Sequence, residues 1–423
     1  MKIAIVHEML IKLGGAERVL LELMKMYPEA DVFTLMYDEE KVGKVFPKEK
    51  IHCTGPAQWL YKITKRPRAS LPLMTFSVSA IDLSGYDLVI SSSSGFAHGV
   101  GGKRKEKREK RKEDGTFEKI SENAQLKTQN SRLKTSDQRL FHICYCHSPA
   151  RYLWDWSTQI QEELGFINTK YKIQSTKGRI ISFVKIYCIG PLVRVLFAVL
   201  RKIDLQASKS PDIYIANSRE VQARIQKYYK RDSIIIYPPV DTEKYRVPST
   251  EYRVSERNFY VITSALTPFK RVDIPIRVLS KLRIPLKIIG AGAQEEELRE
   301  LAGPSVEFLG RLSDKEVVEV YKNARGFLMP QKEDAGMAPI EAMAAGLPVF
   351  GQAAGGLLET SIDGVTGEFF PEETDESFEK GFLEFHENIQ AGKYNDAENI
   401  MSHAQRFGVK EFGESFAKIV DKK

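Results

Sequence analysis

Cysteine is scarce in this 423-residue chain. The four residues, Cys53, Cys144, Cys146 and Cys188, are too few and too irregularly spaced for a disulfide scaffold. Reduced thiols in a cytoplasmic compartment are the simplest expectation. There is no run of 18 apolar residues, so the sequence offers no membrane-spanning helix. The start, MKIAIVHEML, lacks the charged region, apolar stretch and small-residue cleavage site of a signal peptide and reads as a first strand. No GxxxxGK[ST] phosphate loop occurs, and the glycine pair at 14–15 is not the three-glycine dinucleotide fingerprint. What is present is an ordinary globular balance, 42% hydrophobic and 28% charged, long enough for two or three domains with large cores.

Charge of one sign is also nearly absent once it is located. The net charge is +7, but residues 103–112 read KRKEKREKRK, with eight basic and two acidic positions. The rest of the chain is almost neutral. A nucleic-acid partner is not expected: the run is short, mixed with acids and without interleaved aromatics to stack on bases. An anionic membrane surface is the better use for such a run.

Short apolar runs at 2–7, 30–35, 86–91, 140–146, 213–216 and 233–237 read as buried strands. The first is followed by Gly14-Gly15 and a helical pattern through Val19, Leu20, Leu23, Met24 and Tyr27. A second series starts near residue 258: FYVITSA, a helix in KRVDIPIRVLSKL, PLKIIGAG, VEFLG, GFLMP, a helix over 339–345, and LPVFG. This predicts two α/β lobes, 1–240 and 258–404, joined by a linker at 241–257. Ligands of such sheets sit at the C-terminal ends of the strands. Residues 102–139, charged and then polar, interrupt the first lobe and are expected to be a mobile surface insertion. Between 181 and 202 an apolar stripe recurs at helical spacing, with Pro191 inside it. It predicts either a helix packed on the first lobe or an interfacial helix lying on an anionic membrane.

Several residues could carry chemistry. Gly14 and Gly15, at a strand-to-helix turn, let an anion approach backbone amides, or simply make the turn. Glu333 and Glu341 stand eight apart around a small-residue turn entering a helix. Their carboxylates suit hydroxyl groups, and the amides near Gly336, Met337 and Ala338 suit a phosphate. Lys270 and Arg271 follow a strand and could neutralise a diphosphate, or be a solvated surface pair. His147 ends a strand in CYCHSPARYLWD, either facing a substrate or satisfied in the core by backbone. A metal site is not expected from Cys144, Cys146 and His147, because the cysteines share one strand face and the histidine points to the other.

Taken together, seven segments resemble a known family in register: GGAERV (14–19), YCHSPARYLWD (145–155), ANSREVQARIQKYY (216–229), YPPVD (237–241), LTPFKRVD (266–273), VEFLGRLSD (306–314) and EDAGMAPIEAMAAGLPV (333–349). They span nearly the whole chain. The sequence resembles the family-4 retaining glycosyltransferases, particularly bacterial GDP-mannose-dependent mannosyltransferases of polysaccharide and O-antigen assembly. The resemblance implies a GT-B fold, with two Rossmann-like lobes facing across a deep cleft. A C-terminal helix from about 405 to 423 would cross back to the first lobe, anchored by Phe407, Phe412 and Phe416.

The resemblance further implies roles. Gly14 and Gly15 contact donor diphosphate or sugar, and His147 lies beside the transferred sugar. Lys270 binds diphosphate, with Arg271 beside it. Glu333 faces sugar hydroxyls, and Glu341 holds the ribose. The implied function is transfer of mannose from GDP-mannose to a saccharide or lipid-linked saccharide, with no metal and the nucleotide sugar as co-substrate. A UDP-sugar donor, a same-fold epimerase and a glycogen-type synthase are the rivals. Two positions depart from the family's pattern. Ala265 stands where an arginine is usual, so Lys270 or Arg271 carries more of the diphosphate charge. Ala335 stands where an aromatic is often found, leaving room beside nucleotide or sugar. The 102–139 insertion is likewise outside that pattern.

Overall fold

A computed structural model describes residues 1–53, 55–101, 140–155, 190–247 and 253–422. The basic run at 103–112, the remainder of the 102–139 insertion, and the first part of the 181–202 stripe lie outside the described residues. The chain divides into two compact units. One comprises Met1–Ala216 with Ala223–Ile234, the other Asn217–Gln222 with Ile235–Lys423. Residues 405–423 thus group with the second unit.

The first unit is built on a seven-stranded sheet of β1 (Ile3–Leu10), β2 (Asp31–Tyr37), β3 (Ile51–Cys53), β4 (Leu88–Ser93), β5 (Phe141–Cys146), β6 (Ile213–Ala216) and β7 (Ile234–Ile235), in the order β3-β2-β1-β4-β5-β6-β7. The pairs from β3 through β6 are parallel. Strands β1, β4 and β5 are buried almost throughout, which is why they read as continuous apolar or small-residue runs rather than alternating ones. Helix α1 (Gly15–Met26) buries Val19, Leu20 and Leu23 on β1 and β4. Helices α2 (Pro56–Thr64) and α3 (Pro67–Ser79) pack on each other, and α4 (Gly190–Ala207) continues the stripe to residue 207. The sequence pattern missed β3, a three-residue strand at the sheet edge.

The second unit carries a six-stranded sheet of β8 (Phe259–Thr263), β9 (Leu286–Ile289), β10 (Val306–Gly310), β11 (Ala324–Met329), β12 (Val349–Gln352) and β13 (Gly367–Phe370), in the order β10-β9-β8-β11-β12-β13. All its pairs are parallel. Between the strands run α6 (Asp273–Leu282), α7 (Glu295–Leu301), α8 (Asp314–Asn323) and α9 (Met337–Ala344), and α10 (Asp375–Gln390), α11 (Ala397–Gln405) and α12 (Val409–Val420) follow β13. Helix α5 (Arg219–Tyr229) lies at the division between the units. Helix α8 begins with a capping box between Ser313 and Glu316. An aromatic cluster of Tyr260, Phe350, Phe370, Phe378, Phe382 and Phe385 fills the core beneath α10.

Each sheet is doubly wound, and strand order reverses between β1 and β4 in the first and between β8 and β11 in the second. The carboxyl ends at those two reversals are where a crevice opens in such sheets. Two parallel sheets flanked by helices, with further helices at the C-terminus, constitute the GT-B fold the resemblance implied.

Candidate functional site

At the reversal in the first sheet, parallel register sets His7 opposite Ser92 and Ser92 opposite Tyr145. Residues opposite one another share a face, and His147 is two past Tyr145, so it falls on that face as well. The side chains meet accordingly. His7 Nδ1 lies 3.0 Å from Ser92 Oγ, and Ser92 Oγ lies 2.8 Å from His147 Nε2. His147 is half-buried, its ring edge-on to Tyr145 and its backbone N–H donating to Ser93 O at 2.8 Å. Burial, reinforced by His7 and opposed by Glu17, pushes its pKa down to about 3. The imidazole is therefore neutral at ordinary pH, held by a serine hydroxyl as well as through backbone.

Gly14 is the N-cap of α1 and Gly15 its first, exposed residue. The N–H of Gly14 donates to Glu17 Oε2 at 2.9 Å, and a Cβ on Gly14 would sit 2.9 Å from that same oxygen. Close approach at Gly14 is thus real, but the anion is a carboxylate of the chain itself. The other oxygen, Glu17 Oε1, lies 3.8 Å from His7 Nε2. Burial raises the Glu17 pKa, yet the contact with His7, its own backbone N–H and Lys12 outweigh it and hold the carboxyl below its usual range.

The opposite face carries a second polar set that sequence reasoning missed. Buried Glu8 accepts from Ser93 Oγ (3.1 Å), Ser94 N–H (3.1 Å) and Ala97 N–H (3.0 Å). Fully buried Asp204 lies 3.4 Å from His98 Nε2 and accepts from Trp154 Nε1 (2.7 Å) and Tyr229 Oη (3.0 Å). Burial raises its pKa against the pull of His98 and those donors. Cys144 and Cys146 are buried free thiols. Among the described residues, no group of three His, Cys, Asp or Glu side chains could hold a metal ion.

In the second unit, the loops after β8 and β11 bring Lys270 and Glu333 together as an ion pair, and Gln331 Nε2 donates to the same Glu333 Oε1 at 3.0 Å. Gln331 is buried, and its Oε1 has no hydrogen-bond partner among the described residues. The backbone of Glu333 is clamped by the loop after β12, with Gly356 N–H donating to Glu333 O at 2.9 Å. Gly355 has φ +64°, and a Cβ there would lie 2.1 Å from Glu333 O, so only glycine lets the two loops meet. Next, Gly336 (φ +65°) caps α9, with Met337 and Ala338 as its first two residues. Glu341 follows about a turn into that helix and is buried.

Arg271, also at positive φ (47°), turns instead to Asp273 (3.3 Å) and Glu373 (3.0 Å). Lys270, not Arg271, is therefore the cation drawn to Glu333. Ala265 is exposed. Ala335 is buried, and a Cβ on Gly356 would come within 2.6 Å of its Cα, so Gly356 must be glycine for the two loops to meet there. Gln331 and the Gly355-Gly356 pair escaped sequence reasoning. The only sequence signal was their position after apolar runs at strand ends.

The cation, carboxylate and amide set at one strand-order reversal, with a glycine-capped helix entering beside it, defines a site suited to a phosphorylated, hydroxyl-rich ligand. Residues 248–403 match the family model described as Glycosyl transferases group 1. More particularly, the GDP-mannose-dependent alpha-(1-6)-phosphatidylinositol monomannoside mannosyltransferase of Mycobacterium tuberculosis is 32% identical over 155 residues, 31% of this chain and 40% of that protein. The chain thus spans about two fifths of the length of that curated relative. Over the whole of both chains, the fold is similar to HepE of Anabaena, solved with UDP (TM-score 0.66, 17% identity) and with UDP-glucose (0.65, 16%). Sucrose-phosphate synthase of Thermosynechococcus elongatus is similar to the same degree, with TM-score 0.65 at 14% identity, over 100% of this chain and 99% of that one.

Proposed function

We propose that this protein is a glycosyltransferase that moves a hexose from a nucleotide-sugar donor to a hydroxyl of a saccharide or lipid-linked saccharide. The observation that carries the reading is the Lys270–Glu333–Gln331 cluster beside glycine-capped α9. Lys270 and the amides at Gly336, Met337 and Ala338 hold the diphosphate. Glu333 and Gln331 meet sugar hydroxyls, Gln331 Oε1 supplying an acceptor, and Glu341 meets the ribose. In the reaction, the acceptor oxygen bonds to the anomeric carbon as the bond from that carbon to the diphosphate oxygen breaks. The departing diphosphate takes the hydroxyl proton, on the same face, so configuration is retained. Lys270 stabilises the charge that develops on the leaving group. Within the first unit His147 is read as a neutral hydrogen-bonding ring for a sugar, whereas the Gly14 N–H is taken by Glu17 and Arg271 by Asp273 and Glu373.

Two donors stay in view. The mycobacterial relative is named for GDP-mannose, but its similarity covers 31% of the chain. HepE, similar over the whole chain, is solved with UDP and UDP-glucose. We therefore place a UDP-hexose ahead of the GDP-mannose expected from the motifs. A donor panel of UDP-glucose, UDP-N-acetylglucosamine and GDP-mannose, read by thermal shift, tests this. One donor should raise Tm, and Glu341→Ala and Lys270→Ala should reduce the rise. A protein that binds no nucleotide sugar ends the reading. An epimerase would convert the sugar without acceptor, whereas transfer requires one.

We also read the protein as cytoplasmic and held at an anionic membrane surface through 103–112 and 181–202. Among the described residues, no helix is long and apolar enough to cross a membrane. Helix α4 leaves Val195 and Val199 exposed, α2 and α3 expose Trp59, Ile63 and Phe76, and Lys62, Lys65 and Arg66 adjoin Ile63 in the sequence. Sedimentation with anionic vesicles should pull down the full chain and less of a 103–112 deletion. Equal recovery of both would remove the basic run from this reading.

A further inference from the structure

The face of the first sheet that carries His147 also carries a line of polar side chains leading away from it, closed by a longer electrostatic contact. It passes from His147 Nε2 to Ser92 Oγ (2.8 Å), to His7 Nδ1 (3.0 Å), and from His7 Nε2 to Glu17 Oε1 (3.8 Å). The far end is anchored, because Glu17 Oε2 accepts the N–H of Gly14. Ser92 Oγ has one proton and stands between two imidazole nitrogens. It can donate to only one of them, and must accept from the other.

The ionised carboxylate decides the direction. Glu17 is held below the ordinary carboxyl range, so it is an anion facing His7 Nε2. A bare lone pair there would be repelled and an N–H attracted, so whenever the His7 ring carries a single proton that proton sits on Nε2 and leaves Nδ1 an acceptor. Ser92 then gives its hydroxyl proton to His7 Nδ1 and turns its lone pairs to His147. We propose that His7, Ser92 and Glu17 are positioning residues that fix the tautomer of His147, with the proton on Nε2 and Nδ1 as the acceptor. Since the ring is neutral, one nitrogen must be bare, and its identity decides whether Nδ1 receives a hydrogen bond or gives one.

The catalytic consequence of this arrangement rests on the glycosyltransferase reading; the tautomer does not. The test is therefore made on both levels. The full chain, labelled with ¹⁵N in its seven histidines, gives long-range ¹H–¹⁵N spectra at pH 8, and His147→Gln identifies the signals of residue 147. The expected result is a protonated-type shift at Nε2 and a bare-type shift at Nδ1 of His147. Ser92→Thr, which retains the hydroxyl, should keep that pattern, and Ser92→Ala should lose it while the protein still melts cooperatively. A wild-type ring protonated on Nδ1, or a Ser92→Ala variant with the pattern intact, overturns the proposal. In sugar transfer with the donor found above, Ser92→Ala should lower kcat by about 10- to 100-fold, the scale seen when a residue orienting a functional histidine is lost, with donor KM little changed. Recovery in Ser92→Thr separates orientation from loss of packing. An absence of transfer in the wild type would strike the functional reading and leave the tautomer result standing.

Discussion

Glu17 accepts the N–H of Gly14, three residues before it, while its second oxygen faces the ring of His7. One carboxylate thus ties the glycine turn at the start of α1 to the polar line that ends on His147. The link explains why a close-approach glycine precedes a buried acid. A Cβ at 14 would lie 2.9 Å from the oxygen that caps the helix, and the Glu17 side chain would have to shift to admit it.

The carboxyl of Glu17 has a folded pKa below its ordinary value of 4.5. Its contribution to stability is full above about pH 4.5 and is lost as pH falls through the lower folded value. Glu17→Gln should therefore be less stable than wild type at pH 7. The gap should narrow as urea titrations are taken to pH 4 and below. A gap that widens on acidification would contradict this assignment.

His147 behaves with the opposite demand. Its pKa falls from 6.5 to about 3 in the fold, so the unfolded chain binds a proton between those values that the native chain does not. Stability is lost as pH drops from about 6.5 toward 3. His147→Gln should flatten that part of the curve, measured by urea midpoint against pH. An unchanged slope would mean that another group sets it.

Loss of Lys270 removes the cation that Glu333 and the proposed diphosphate share. Lys270→Ala should weaken donor binding by roughly 10- to 100-fold, equivalent to about 1.5–3 kcal/mol for a charge-assisted contact. Gln331→Leu, which removes a neutral amide, should raise the donor KM less. Calorimetric Kd values for the two variants, set against wild type, check the ranking.

Asp204 should matter to the fold rather than to turnover. Its carboxylate gathers His98, Trp154 and Tyr229 inside the first unit. Asp204→Ala would leave the Trp154 and Tyr229 donors buried without their acceptor, at about 1–3 kcal/mol for each unsatisfied group. Urea unfolding followed by tryptophan fluorescence measures the loss. A change below about 1 kcal/mol would place it among ordinary surface contacts.

Much of the architecture was legible in the sequence because buried parallel strands and their helices leave local marks. Apolar runs such as IAIV and FYVIT, and the amphipathic pattern of α1, place the elements to within a few residues. Strands β3 and β13 left weaker marks. Ile51–Cys53 is three residues at a sheet edge, and Gly367–Phe370 begins with glycine and carries a glutamate. For the site, residue types at strand ends singled out Lys270, Glu333, Glu341 and His147. Arg271 shows the limit. Next to Lys270 in sequence, it differs in its partners because a left-handed backbone turns it to Asp273 and Glu373.

By itself the sequence determined which segments become strands and helices and which ends carry polar side chains, since periodicity and glycine placement act over a few residues. It could not determine who meets whom. His7 and Ser92 are 85 positions apart and Lys270 and Glu333 are 63 apart. Each pair forms because strand order reverses between them, setting the ends of β1 and β4, or of β8 and β11, side by side. That order comes from burying both faces of each sheet at once, a condition on the whole unit that no local window of residues contains.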